Sequence, residues 1–102
     1  MSDPVKTQTN NFAEFCERPD PVYNQRGNKF QCPCCDCYTL DGVGDYDICP
    51  VCFWEDDGTT GEHGFSPNGI PLVEARQNYL KFGANTERDT KHVRSPEANE
   101  LP

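Results

Sequence analysis

Two cysteine pairs carry the clearest chemistry in this sequence. Cys32-Pro33-Cys34-Cys35 and Cys49-Pro50-Val51-Cys52 both read Cys-Pro-x-Cys, and 13 residues separate them. A two-residue gap lets both thiolates of a pair face one point while amides of the tight turn donate to sulfur. Two such pairs complete a tetrahedron. The spacing therefore predicts one structural zinc ion held by Cys32, Cys35, Cys49 and Cys52. Four thiolates leave no coordination position for water, which reads as a closed, non-catalytic site. Rubredoxin-type iron uses the same paired knuckles, and spacing alone does not separate the two metals. Cys34 and Cys37 form an alternative Cys-x-x-Cys. The matching prolines favour the Cys32/Cys35 register, which leaves Cys34 and Cys37 as bystander thiols or as an auxiliary redox or metal pair.

Other residues carry weaker signals. Trp54 follows the second pair and runs into Glu55, Asp56 and Asp57. One reading is an aromatic lid over the metal with solvated carboxylates. The other is a partner-binding surface formed by Trp54, Glu55, Asp56 and Asp57, suited to a basic protein. His63 and His92 stand apart from the cysteines and from each other. The sequence shows no Ser–His–Asp arrangement, phosphate loop or H-E-x-x-H motif, so the expectation is a chain that is not an enzyme.

The elements that position the cysteines have little else to stand on. Only 18 of 102 residues are Leu, Ile, Val or Phe, and the formal net charge is −8. Ordering the backbone costs about 1–2 kcal/mol per residue, and so thin a core needs a cross-link. The odd cysteine count, 7, fits poorly with a complete disulfide framework. The first six residues lack the apolar stretch of a secretory leader, and no run is long enough to span a membrane. The expected setting is cytoplasmic, where thiols stay reduced and clustered cysteines bind metal. Residues 30–75 contain no Lys or Arg but nine carboxylates. Nucleic-acid binding requires phosphate neutralisation by cations, and this stretch should repel it.

Local patterns give a small α+β, zinc-ribbon-like fold. Residues 1–28 read as a flexible N-terminal arm, with a short helix over 11–18 carrying Phe12, Phe15 and Cys16. Residues 29–83 read as the zinc-ribbon-like domain, and residues 84–102 as an extended C-terminal tail. Residues 29–31 form a short strand after a turn-rich stretch. Residues 38–40 and 45–48 alternate bulky and polar side chains about Asp41-Gly42-Val43-Gly44, which predicts a β-hairpin joining the two knuckles. Residues 55–69 are read as loop. A helix is expected over 71–82, with Pro71 at its start, Gly83 as its cap and an apolar stripe of Leu72, Ala75, Tyr79 and Phe82.

With these motifs in hand, the sequence resembles the bacterial cysteine-rich CPCC family. The resemblance rests on Cys32-Pro33-Cys34-Cys35, on the run from Ile48 through Cys49, Cys52 and Trp54 to Gly58, and on Pro67-Asn68-Gly69. It continues through Glu74-Ala75-Arg76, Phe82-Gly83 and His92-Val93-Arg94. It implies a knuckle pair with an appended helix and no established activity. Members usually have glycine where Asp36 stands and no cysteine where Cys37 stands.

Three functions fit this reading. The first is a non-enzymatic, zinc-stabilised acidic module that binds a basic protein, for example an immunity protein neutralising a nuclease toxin. The second is a thiol-redox or metal-sensing protein using Cys34 and Cys37. The third is a structural accessory domain of a larger assembly. None involves nucleic acid or membrane.

Overall fold

A computed structural model of the chain describes residues 21–61 and 66–102. The helix expected over 11–18, Cys16 and His63 lie outside them. The described residues form five short strands: β1 (Gln25–Arg26), β2 (Lys29–Gln31), β3 (Tyr38–Leu40), β4 (Asp47–Ile48) and β5 (Glu55–Asp56). They make two antiparallel sheets, one ordered β1-β2-β3 and the other β4-β5. An α-helix, α1 (Leu72–Phe82), follows. This is a small α+β, zinc-ribbon-like architecture.

The strand pairing differs from the sequence expectation. Residues 38–40 and 45–48 do not form one hairpin between the knuckles. Instead β2 pairs with β3 across the first knuckle, and β4 pairs with β5 across the second. The reason is local. Each knuckle reverses the chain by itself, through Cys32 N–H to the Cys37 carbonyl at 2.8 Å and Cys49 N–H to the Trp54 carbonyl at 2.9 Å. The strands on either side of a knuckle are thereby set as neighbours, and the glycine-rich segment between β3 and β4 only carries the chain across. Asp47 pins that crossover, its carboxylate accepting the amides of Asp41 and Gly42 at 3.0 and 3.1 Å. Strand β1 also replaces part of the expected arm. It pairs with β2 through a two-residue Gly27-Asn28 turn, with Gly27 at φ 61°, a conformation glycine adopts without steric cost.

The core and the cysteine cluster are the same object. Of the eleven residues in the buried apolar cluster, six are cysteines; the others are Leu40, Val51, Trp54, Leu72 and Ala75. Phe30, Ile70 and Tyr79 pack against its edge. Helix α1 closes one side. It ends at Gly83, in the left-handed region at φ 81°, whose amide caps the Tyr79 carbonyl at 2.9 Å, as a C-terminal glycine should. Leu72 and Ala75 face inward as expected, while Phe82 is 38% exposed at the helix end. The inward place one turn after Leu72 goes to Arg76, which is 1% exposed.

Residues 84–102 are not simply extended. They contain two short 3-10 helices, Glu87–His92 and Ala98–Glu100, and fold back along the second knuckle. Asn85 N–H donates to the Cys52 carbonyl at 2.7 Å and Arg94 N–H to the Pro50 carbonyl at 3.2 Å. His92 stacks on Phe53 with ring centroids 5.0 Å apart. Arg94 and Glu100 form a two-pronged ion pair, 2.8 Å at each prong. The segment's low hydrophobicity hid this, because its anchors are chiefly backbone amides, the His92 stack on Phe53 and Arg26 donating to the Asn99 and Leu101 carbonyls. The predicted loop over 55–69 likewise begins with β5. Asn68 continues that strand's pairing, its side chain accepting the Glu55 amide at 2.7 Å and donating to the Glu55 carbonyl at 3.0 Å.

Candidate metal centre

The two knuckles are built alike, position by position. Each runs six residues, 32–37 and 49–54, from a cysteine whose amide bonds the sixth residue's carbonyl. In each, the fifth residue's amide returns to the first carbonyl at 2.8 Å. That fifth residue sits in the left-handed region in both, Asp36 at φ 67° and Phe53 at φ 70°. A left-handed residue costs about 1–2 kcal/mol unless it is glycine. Proline in second place, Pro33 and Pro50, supplies the fixed φ with which such turns begin.

The equivalence assigns the remaining cysteines. Cys34 stands where Val51 stands in the second knuckle, and Cys37 where Trp54 stands. All four residues are buried, at 0%, 1%, 1% and 1% exposure respectively for Cys34, Val51, Cys37 and Trp54. The third and sixth positions therefore point into the core, and the first and fourth, Cys32, Cys35, Cys49 and Cys52, converge on one another. Their sulfurs all lie within 4.8 Å. Cys32 and Cys52 are 3.6 Å apart, and Cys35 and Cys49 3.7 Å. These separations are too long for disulfides, and every cysteine among the described residues is free. A metal about 2.3 Å from four sulfurs at tetrahedral corners places them about 3.8 Å apart. The donor set fits a metal ion.

The protein environment favours thiolate at Cys49. The Thr39 hydroxyl donates to its sulfur at 3.0 Å and the Val51 amide at 3.4 Å. The largest effect comes from hydrogen bonds with the Cys32, Cys35 and Cys52 thiols, Thr39 adding less, and together they push the Cys49 thiol well below its ordinary value. The others move the opposite way. Burial raises Cys32 to about 11 and holds Cys52 well above the usual thiol range, while hydrogen bonds to Cys32, Cys37 and Cys49 raise Cys35. A metal-free cluster thus keeps its protons at three sulfurs near neutral pH. Metal must displace about three protons, because only thiolates ligate. Falling pH therefore favours the empty form, and a chelator-competition titration should show affinity dropping steadily as pH falls below the Cys32 value of about 11. A pH-independent affinity would contradict this arrangement.

Two features of the site were not picked out from the sequence. Thr39 sits on β3 beside the opposite knuckle, and nothing in its spacing distinguishes it from any strand threonine. Arg76 did leave a signal, a cation interrupting the apolar helical stripe four residues after Leu72. Its Nε donates to the Pro33 carbonyl at 2.7 Å, tying α1 to the first knuckle.

The partner-binding quartet needs correction. Trp54 is 1% exposed and Asp56 0%, so neither can meet a partner. Alternation along β5 turns Asp56 inward and leaves Glu55 and Asp57 partly exposed. Asp56 is a structural acceptor. It receives the Tyr23 hydroxyl at 2.7 Å, the Gly44 amide at 2.9 Å and the Gly58 amide at 3.4 Å. Burial, and then this bond, hold the Tyr23 phenol protonated far above its ordinary range. An Asp56→Asn chain turns an amide donor towards these donors and should lose about 1–3 kcal/mol, read as a fall in unfolding midpoint. An unchanged midpoint would remove Asp56 from the framework.

Residues 30–100 match the family model described as Cysteine-rich CPCC. No curated protein and no solved structure matches the chain.

Proposed function

The chain belongs to the cysteine-rich CPCC family, and on that premise we propose that it is a zinc-stapled, non-enzymatic module that binds a basic protein partner. The observation that carries the metal half is the convergence of four buried sulfurs at 3.6 and 3.7 Å across the two knuckles. Thiolate-only ligation at a tetrahedral site suits zinc. Four thiolates around a dication would carry a net charge of about −2, and the buried Arg76 guanidinium on α1 supplies a nearby positive charge. A fully ligated, buried ion has no place for a substrate, so its work is to hold the two hairpins and α1 together.

The binding half rests on charge. No cation interrupts residues 30–75, and the chain's net charge is −8. Such a field repels nucleic acid and speeds encounter with a cationic protein. A toxin nuclease, whose own groove is basic, is one partner of this kind, with the chain acting as its cytoplasmic immunity protein. Cross-linking the metal-loaded chain in its source cell and reconstituting with each captured protein tests the reading. A basic protein bound one to one, with affinity falling as salt rises, is the expected result. Capture of a fixed larger assembly, or reconstituted binding to acidic proteins only, would overturn it.

A further inference from the structure

With Trp54 and Asp56 buried, any docking surface must be built from other residues, and one face of the second hairpin is left uncovered among the described residues. Ile48 lies directly opposite Glu55 in the β4–β5 pair, so their side chains share one face. Asp47 and Asp56, the other opposed pair, occupy the inner face. Tyr46, directly before β4, and Asp57, directly after β5, adjoin that face. Tyr46 is 61% exposed, Ile48 49% and Val43, earlier in the same crossover, 42%. Three large apolar side chains within six residues of chain are thus open to solvent.

The backbone under this face is held firmly. The Tyr46 amide donates to the Asp56 carbonyl at 2.8 Å, and the Gly44 amide to the Asp56 carboxylate at 2.9 Å. Tyr46 itself sits at φ 65°, a region where glycine rests without cost and a bulky side chain does not. The fold thus retains an exposed aromatic residue at a position where stability alone selects glycine.

Charge decides what covers the face. Glu55 shares it and Asp57 adjoins it, within a stretch, residues 30–75, that holds no Lys or Arg. A second copy of this chain would set the same carboxylates against one another. A phosphate backbone would meet the same repulsion. We propose that the outer face of the β4–β5 hairpin, centred on Tyr46 and Ile48, is the docking surface for an arginine- or lysine-bearing protein segment that inserts an apolar side chain between its charges. This rests on the protein-binding reading above and locates its site.

The test is an amide-resolved NMR titration of the metal-loaded full chain with a short synthetic peptide alternating arginine and leucine. Shifts should centre on residues 41–48 and 55–58 and weaken with salt. Tyr46→Gly should lower peptide affinity about tenfold while leaving the unfolding midpoint unchanged or higher, because glycine relieves the left-handed strain. Ile48→Thr should lower affinity in the same direction on an unstrained backbone. Peptide binding that maps to α1 or the tail, or that survives both substitutions, would overturn this surface yet leave an acidic protein-binding module standing. Loss of every response to the basic peptide would remove both. Concentration-dependent shifts on this face without peptide would make it a self-association surface instead.

Discussion

A Cys52→Ser chain should lose its bound metal and its cooperative unfolding transition together. Among the described residues the cysteine cluster supplies six of the eleven residues of the buried apolar cluster, so much of that packing goes once the sulfurs cease to converge. Structural zinc contributes about 10–16 kcal/mol in small peptides, against a whole-domain stability of about 5–15 kcal/mol. Serine ligates zinc poorly, and three thiolates cannot close a tetrahedron. Cys52 is also the residue whose carbonyl receives the Asn85 amide, so the returning tail loses its mooring when the knuckle opens. Tryptophan fluorescence offers the readout, since Trp54 is 1% exposed in the folded chain. A strong chelator should red-shift its emission in the parent protein, and the substitution should do so without chelator. A serine variant that melts cooperatively near the parent midpoint would show that packing holds the fold without the metal.

Trp54→Ala should be the most damaging substitution away from the four sulfurs, costing about 3–5 kcal/mol. Trp54 is the largest fully buried side chain and occupies the sixth position of its knuckle, where its carbonyl closes the turn. Alanine preserves that backbone bond and removes only the packing, so the loss measures the core rather than the turn. Trp54→Phe should cost less, because the ring fills part of the same space and Nε1 finds no acceptor among the described residues. Denaturant unfolding of the metal-loaded variants separates the two effects. A cost below about 1 kcal/mol for alanine would mean that the site can collapse around the missing ring.

The parts of this structure that could be read from sequence are those set within a few residues. Paired Cys-Pro-x-Cys knuckles are self-contained turns, so their register and convergence were accessible from spacing and proline alone. Gly83 at the end of α1 is likewise a local signal, one left-handed residue after an apolar helical stripe. What could not be read was longer in range. Whether β3 pairs with β2 or with β4 depends on the knuckle closing first, and period-two alternation is the same for either partner. The tail's course depends on backbone amides at Asn85 and Arg94, which leave no pattern in side-chain hydrophobicity. The burial of Trp54 and Asp56 was hidden for a related reason. Trp54 and Asp56 look like an exposed anchor beside a charge, yet the knuckle's sixth position is inward and β5 alternates from it. Tyr46, just before β4, and Ile48, within it, are the large apolar side chains exposed there.

X-ray absorption at the metal edge, on native-mass-checked protein and on a Cys34→Val, Cys37→Val chain, tests the central claim most directly. Native mass spectrometry should give one zinc per chain in both. The absorption spectra should show four sulfurs at about 2.3 Å, unchanged by the double substitution because Cys34 and Cys37 occupy the places that Val51 and Trp54 fill in the other knuckle. Two metals per chain, fewer than four sulfurs in the parent, or a sulfur count that falls when Cys34 and Cys37 are replaced would contradict the account and put those two thiols among the ligands.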